Sequence, residues 1–154
     1  MIISKDLMQG DLIYNHRNWI CPVIGIGIKE DITVIAQHYG ESTYKVEDLF
    51  PIPISEDIIL KLGWKEIKES DPNYKIRIGL GKQYKHPSYT KSLNIIQTSL
   101  SGLYYILNGE VIVRYLHDLQ HILHHTVLDE IRYDYEKDDL YIYDPEFNRK
   151  IDLK

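Results

Sequence analysis

Cysteine is nearly absent from this chain. The single Cys21 excludes an intramolecular disulfide and fits a reducing compartment. Phenylalanine is scarce too, two against 13 tyrosines. Most aromatic area therefore carries a hydroxyl, which suits wet interfaces and small β-rich cores. No apolar run approaches the roughly 20 residues that span a bilayer, and the opening MIISKDLMQGD lacks the layout of a signal peptide. The expectation is a cytoplasmic protein with no membrane partner. Acidic residues are missing from one long stretch: between Asp71 and Glu110 there is none, while Lys75, Arg77, Lys82, Lys85 and Lys91 lie there.

What is present is ordinary for a globular protein: 154 residues, 44% hydrophobic and 27% charged, enough to bury a core. The net charge of −5 argues against general nucleic-acid binding. Because the acids gather at the two ends of the chain, notably over Asp129 to Asp144, the middle third is locally cationic.

The main organising stretch is Val111 to Leu128. Ile112, Leu116, Leu119, Leu123 and Val127 recur at spacings of four, three, four and four, which predicts a helix over about 115–128. Asn108-Gly109 signals a tight hairpin just before it. Upstream, Leu12–Tyr14, Trp19–Ile28, Ile32–Ala36 and Thr43–Val46 read as strands of a small bent sheet or partial barrel. The glycines of VIGIGI suggest a bulge or close backbone packing. Phe50 to Ile54, with two prolines, reads as an extended connector. Ser55 is an N-cap for a short helix over 56–62, ended by Gly63. Strand candidates follow at Trp64–Ile67, Tyr74–Leu80, Leu93–Thr98, Gly102–Leu107 and Glu110–Arg114. A hairpin of Glu130–Tyr135 and Leu140–Tyr143 closes the chain, and no internal repeat stands out. The expected fold is α+β: a β-rich lobe over 1–54, then a lobe over 55–154 in which a second antiparallel sheet packs on the main helix, the two forming one compact unit.

Three features carry candidate chemistry. In the acid-free window, Lys75, Arg77, Lys82, Lys85 and His86, with Tyr84 and Tyr89 for stacking, fit a phosphate-bearing small molecule such as a nucleotide; Gly79 and Gly81 would let backbone N–H groups face it. A solvated, lysine-edged strand explains the same residues. On the main helix, His117, His121 and His124 share a face, and two histidines one turn apart can chelate a metal. Their H-D-L-Q-H spacing lacks the glutamate of a metalloprotease helix, and a solvated or half-buried helix flank explains them better. The tyrosine-rich acidic tail IRYDYEKDDLYIYD could dock a protein partner or be a plain amphipathic hairpin. Cys21 sits in an apolar strand and reads as buried rather than reactive.

The stretches MQGDLIYN, PIPISEDIILKLGWKEI and VRYLHDLQHIL resemble small uncharacterised proteins of gut Bacteroidetes and their phages and prophages. These run from R-x-G-N-x-V through PIPLTEEWLLKFGF to YVHQLQNLYFALTG. The likeness covers roughly residues 5 to 125; the acidic hairpin from Asp129 and the histidines after Gln120 depart from it. His117 and Gln120 fall on its last motif. The resemblance implies a mobile-element setting, hence a host cytoplasm, but no chemistry. The combined expectation is a non-enzymatic binding protein that sequesters an anionic small molecule, without a cofactor and with oligomerisation left open. The rival readings are a protein-interaction module using the tyrosine-acidic hairpin and a histidine-based metal-dependent hydrolase.

Overall fold

The computed structural model describes residues 6–29, 31–36, 40–71, 80–89, 93–98, 105–107 and 111–151. It is an α+β fold of three antiparallel sheets and two α-helices. The chain divides into two units, residues 1–53 with 115–151 and residues 54–114 with 152–154. The first break falls between Pro53 and Ile54. The main helix and the closing hairpin join the N-terminal sheet instead of the middle of the chain.

In the first unit, β1 (Leu12–Tyr14), β2 (Ile20–Ile26), β3 (Asp31–Ala36), β4 (Gly40–Lys45) and β5 (Phe50–Pro51) form one sheet in the order β4-β3-β2-β1-β5. The order is open, with β4 and β5 at its ends, so the described strands do not close a barrel. Alternation in β3 buries Ile32, Val34 and Ala36, the period-2 pattern of a half-buried strand. These meet Ile13, Cys21, Val23 and Leu49 in one core cluster. The register shifts between Val23 and Gly25, the bulge that the glycine alternation suggests. Phe50–Pro51, expected as a connector, pairs with β1; at an edge a proline forfeits no ladder bond.

The second unit opens with α1 (Glu56–Lys61). Ser55 Oγ accepts from Ile58 N–H at 3.3 Å, and Gly63 takes φ +102° just past the end, where a Cβ would be strained. Then come β6 (Lys65–Glu66), β7 (Leu80–Lys85), β8 (Ile95–Thr98), β9 (Tyr105–Leu107) and β10 (Val111–Val113), ordered β10-β9-β8-β7-β6. The strand expected over 74–80 lies outside the described residues except for Leu80, and so does the Asn108-Gly109 turn. Trp64, 1% exposed, anchors this unit by donating from Nε1 to Leu93 O at 2.8 Å.

Back in the first unit, α2 (Leu116–Thr126) buries Leu116, Leu119 and Leu123 completely, whereas Ile112 of the same stripe is exposed on β10. The Asp118 carboxylate accepts Tyr115 N–H at 3.0 Å and holds the first turn. The helix packs against β1 and against β11 (Glu130–Asp134). With β12 (Asp139–Asp144) and β13 (Arg149–Lys150), β11 makes a third sheet. Ile52 O accepts Leu116 N–H at 2.8 Å, and Pro53 bridges to Tyr115. Two of the three stretches that carry the resemblance thus touch at the helix start.

The two turns of the third sheet are copies ten residues apart. Asp134 Oδ1 accepts from the N–H groups of Glu136 and Lys137, and Asp144 Oδ1 does the same for Glu146 and Phe147. Tyr133 hydroxyl bonds Asp138, and Tyr143 hydroxyl bonds Asn148. Asp138 and Asn148 both take positive φ, +48° and +49°. A short repeat is therefore present where none stands out by eye.

Candidate functional site

In the described part of the cationic window, the two lysines are paired with acids of the chain. Lys82 Nζ lies 3.1 Å from Glu56 Oε2 at the start of α1, and Lys85 is paired with Asp71. Two separate acids, both outside the acid-free window, neutralise the two lysines. Tyr84 is fully buried and donates to Glu56 Oε2 at 2.5 Å. Burial, then that bond, raises the phenol's pKa, and the same bond, with Lys82 beside it, lowers that of Glu56. His86 is 1% exposed; its Nε2 donates to Leu62 O at 2.9 Å, and its Nδ1 accepts from Ser88 N–H. Tyr89 packs on Trp64 and on His86. These two rings are core, not stacking platforms. Gly81 sits in β7 with Gln97 so close that a Cβ would lie 3.0 Å from its amide oxygen, a reason of packing rather than anion binding. Lys75, Arg77, Gly79 and Lys91 lie outside the described residues.

The histidine set is also divided. His117 is 4% exposed, stacked on Tyr115 at 5.6 Å, and its Nδ1 has no hydrogen-bond partner. Burial lowers its pKa. His121 Nε2 donates to both oxygens of Asp11, at 2.9 and 2.7 Å; that bond raises the pKa of His121. His124 lies edge-on against His125. Among the described residues no group of three histidine, cysteine or acidic side chains could hold a metal. The shared-metal expectation for His117, His121 and His124 is corrected accordingly: one ring is enclosed, one is committed to a carboxylate, and one turns to its neighbour.

What the structure does bring together is a cavity of about 390 Å³ in the first unit. Its floor is the meeting of the Gln9–Leu12 turn with α2 and β11. Asp11, 2% exposed, accepts from Met8 N–H at 2.7 Å as well as from His121. Gln120 knits the three elements: Oε1 accepts Leu12 N–H at 2.8 Å, and Nε2 donates to Gly10 O and Ile131 O at 3.0 and 3.1 Å. One amide thus meets the needs of three buried backbone groups. Asp129, Glu130 and Arg132 line one wall, with Tyr133 and Tyr141 beside them; Met8, Leu12, Pro22 and Ile131 supply the apolar part. Glu130 and Arg132 are bonded at 2.7 Å.

Sequence reasoning named His121 and His124 but missed this cavity. The carboxylate that meets His121 lies 110 positions away at Asp11, and the only local hint was the G-D turn after Met8. The tyrosine-acidic tail is present as β11–β13, but its rings are partly claimed by the chain's own cations. Arg132 lies 3.8 Å over Tyr143, and Lys150 lies 4.8 Å over Tyr141. Cys21 is fully buried, and burial pushes its thiol up to about 11. No helix among the described residues is long and apolar enough to cross a membrane. Compared with models of protein families, with curated proteins and with solved structures, this chain finds no match.

Proposed function

We propose that this is a non-enzymatic binding protein whose ligand seat is the cavity of the first unit. The observation that carries the reading is the pair of buried Asp11 with half-buried His121 on the wall of that cavity. Burying a carboxylate costs several kcal/mol unless its partners are well placed, and a pair facing open space offers a ligand a fixed polar anchor. The size is in the range of small-ligand sites, roughly 300–1,000 Å³. Among the described lining residues there is no serine, threonine, cysteine or lysine, which favours holding a molecule over attacking it. In the phage or prophage setting that the resemblance implies, such a seat would keep a host small molecule out of circulation. The described part of the segment 75–91 is a poorer seat, because Tyr84, His86 and Tyr89 are buried in the core rather than open to a ligand.

Ligand-observed NMR of the full chain against a metabolite collection, with native mass spectrometry of the freshly purified protein, tests this. The expected result is at least one small molecule bound one to one and lost in His124→Trp, which fills the seat from an exposed position. Binding that survives His124→Trp, or no binder in either measurement, defeats the reading.

A further inference from the structure

Asp11 at the base of the cavity is fully engaged, whereas several of the cavity's donors have hydrogens to spare. Asp11 accepts from His121 and from Met8 N–H, and Glu130 accepts from Arg132 through both Nε and one terminal nitrogen. Asp129 is 6% exposed. Both hydrogens of the Gln120 amide are spent on Gly10 and Ile131. On the other side of the ledger, the second terminal nitrogen of Arg132, the hydroxyl of Tyr141 and the ring nitrogens of His124 have no hydrogen-bond partner among the described residues. His121 also keeps Nδ1 open, a donor whenever the ring is charged beside Asp11.

We propose that the ligand of this cavity carries a negatively charged group, phosphate or carboxylate, on a flat apolar body. The inference rests on reading the cavity as a ligand seat. Its charged end is met by Arg132, His124 and Tyr141, since guanidinium and imidazole N–H groups bond oxyanions more strongly than neutral acceptors. Its flat part lies along Leu12, Pro22 and Ile131 with the ring of Tyr133. A ligand cation would find both oxygens of Asp11 already taken by His121 and Met8 N–H.

Isothermal titration calorimetry of the full chain near neutral pH tests this with three probes: cyclic AMP, indole-3-acetate and tryptamine. The last two share a ring and differ in the sign of the charge. Binding of indole-3-acetate or cyclic AMP without binding of tryptamine is expected, and the two anions separate a carboxylate preference from a phosphate one. Arg132→Gln and His124→Asn, both at exposed positions, should each weaken the anion about tenfold, with circular dichroism melts showing the variants folded. Tryptamine binding as tightly as the anions, or folded variants that bind an anion unchanged, overturns the proposal. Silence from all three probes also overturns it. If the metabolite screen has by then found a neutral binder that His124→Trp abolishes, the seat stands and only its preference for anions is lost.

Discussion

Tyr143 repeats, ten residues on, the hydrogen bond that Tyr133 makes: one reaches Asn148, the other Asp138, each five positions ahead across its own turn. Asp134 and Asp144 sit next to them and cap the same two N–H groups of each turn. The turns are held locally, by side-chain-to-backbone bonds that satisfy groups no strand can. Asp134→Ala and Asp144→Ala should each cost about 1 kcal/mol, read as a shift in urea midpoint. Asn148→Gly should cost little, because glycine accepts the +49° φ and the Tyr143 hydroxyl it releases is exposed and can bond water, whereas Asn148→Val should cost more than Asp144→Ala. Equal stability of the glycine and valine variants would show that the turn does not need its left-handed residue.

Gln120 predicts a larger loss. Its amide serves Leu12 N–H, Gly10 O and Ile131 O at once, and the residue is 7% exposed. Gln120→Leu keeps the volume but orphans all three backbone groups, at about 1–3 kcal/mol for each one left dry. Gln120→Glu keeps the acceptor for Leu12 N–H and loses both donors. Chemical denaturation should therefore rank wild type above Gln120→Glu and place Gln120→Leu well below wild type. A leucine variant within 1 kcal/mol of wild type would mean that water replaces the amide. Gln120 thus stands on a joint of the fold, where α2 meets the Gln9–Leu12 turn and β11.

How much of this could be read beforehand depends on the range of each signal. The α1 helix is legible because Ser55 and Gly63 are local cap residues, and α2 because its leucines keep helical spacing. Cys21 is buried as its apolar strand implies. β13 escapes notice because Arg149-Lys150 has no apolar alternation, and β5 because two prolines look like a linker. The repeat hides in positions that share only Tyr, Asp, Glu and an Asp or Asn. The cavity is out of reach for a stronger reason: Asp11 meets His121 across 110 residues, and no local pattern encodes that pairing. The charge window misleads in the same way, since Glu56 answers Lys82 from 26 residues upstream.

The two inner histidines set opposite limbs of the pH profile. Burial keeps the folded pKa of His117 below its ordinary value, with Asp118 and Asp11 pulling the other way and His121 adding to the lowering. As pH falls below about 6.5, the unfolded chain takes up a proton that the folded one refuses, so stability drops toward the folded value. His121 behaves inversely. The bond to Asp11 raises its folded pKa against the cost of burial, with Asp11, Asp118 and Asp6 adding charge. Its contribution is complete below about 6.5 and is lost as pH rises through the raised value. His117→Phe, which can keep the stack on Tyr115, should flatten the acid limb below about pH 6.5. His121→Asn should flatten the limb above about pH 6.5. Urea midpoints across the range decide it, and parallel curves for wild type and both variants would remove these groups from the account.

Leu128 is the one aliphatic residue among the described positions held at positive φ, +60°, just past the end of α2, and its side chain is 63% exposed. The left-handed conformation costs a residue with a Cβ about 1–2 kcal/mol, while glycine pays about 0.5–1 kcal/mol more in chain entropy on folding. So little of the leucine is buried that its removal sacrifices little packing. Leu128→Gly should raise stability by about 0.5–1 kcal/mol, a gain of roughly 1–4 °C in Tm for a chain of this length. Leu128→Ala is the control: it trims the same side chain but keeps the Cβ, so it should sit at or slightly below wild type. If alanine stabilises as much as glycine, the gain comes from shedding exposed apolar surface rather than from relieving the backbone. Because Leu128 immediately precedes Asp129 on the cavity wall, the glycine variant should also be titrated with whichever probe binds. Unchanged affinity is expected, since the substitution relaxes φ at a residue that does not line the cavity.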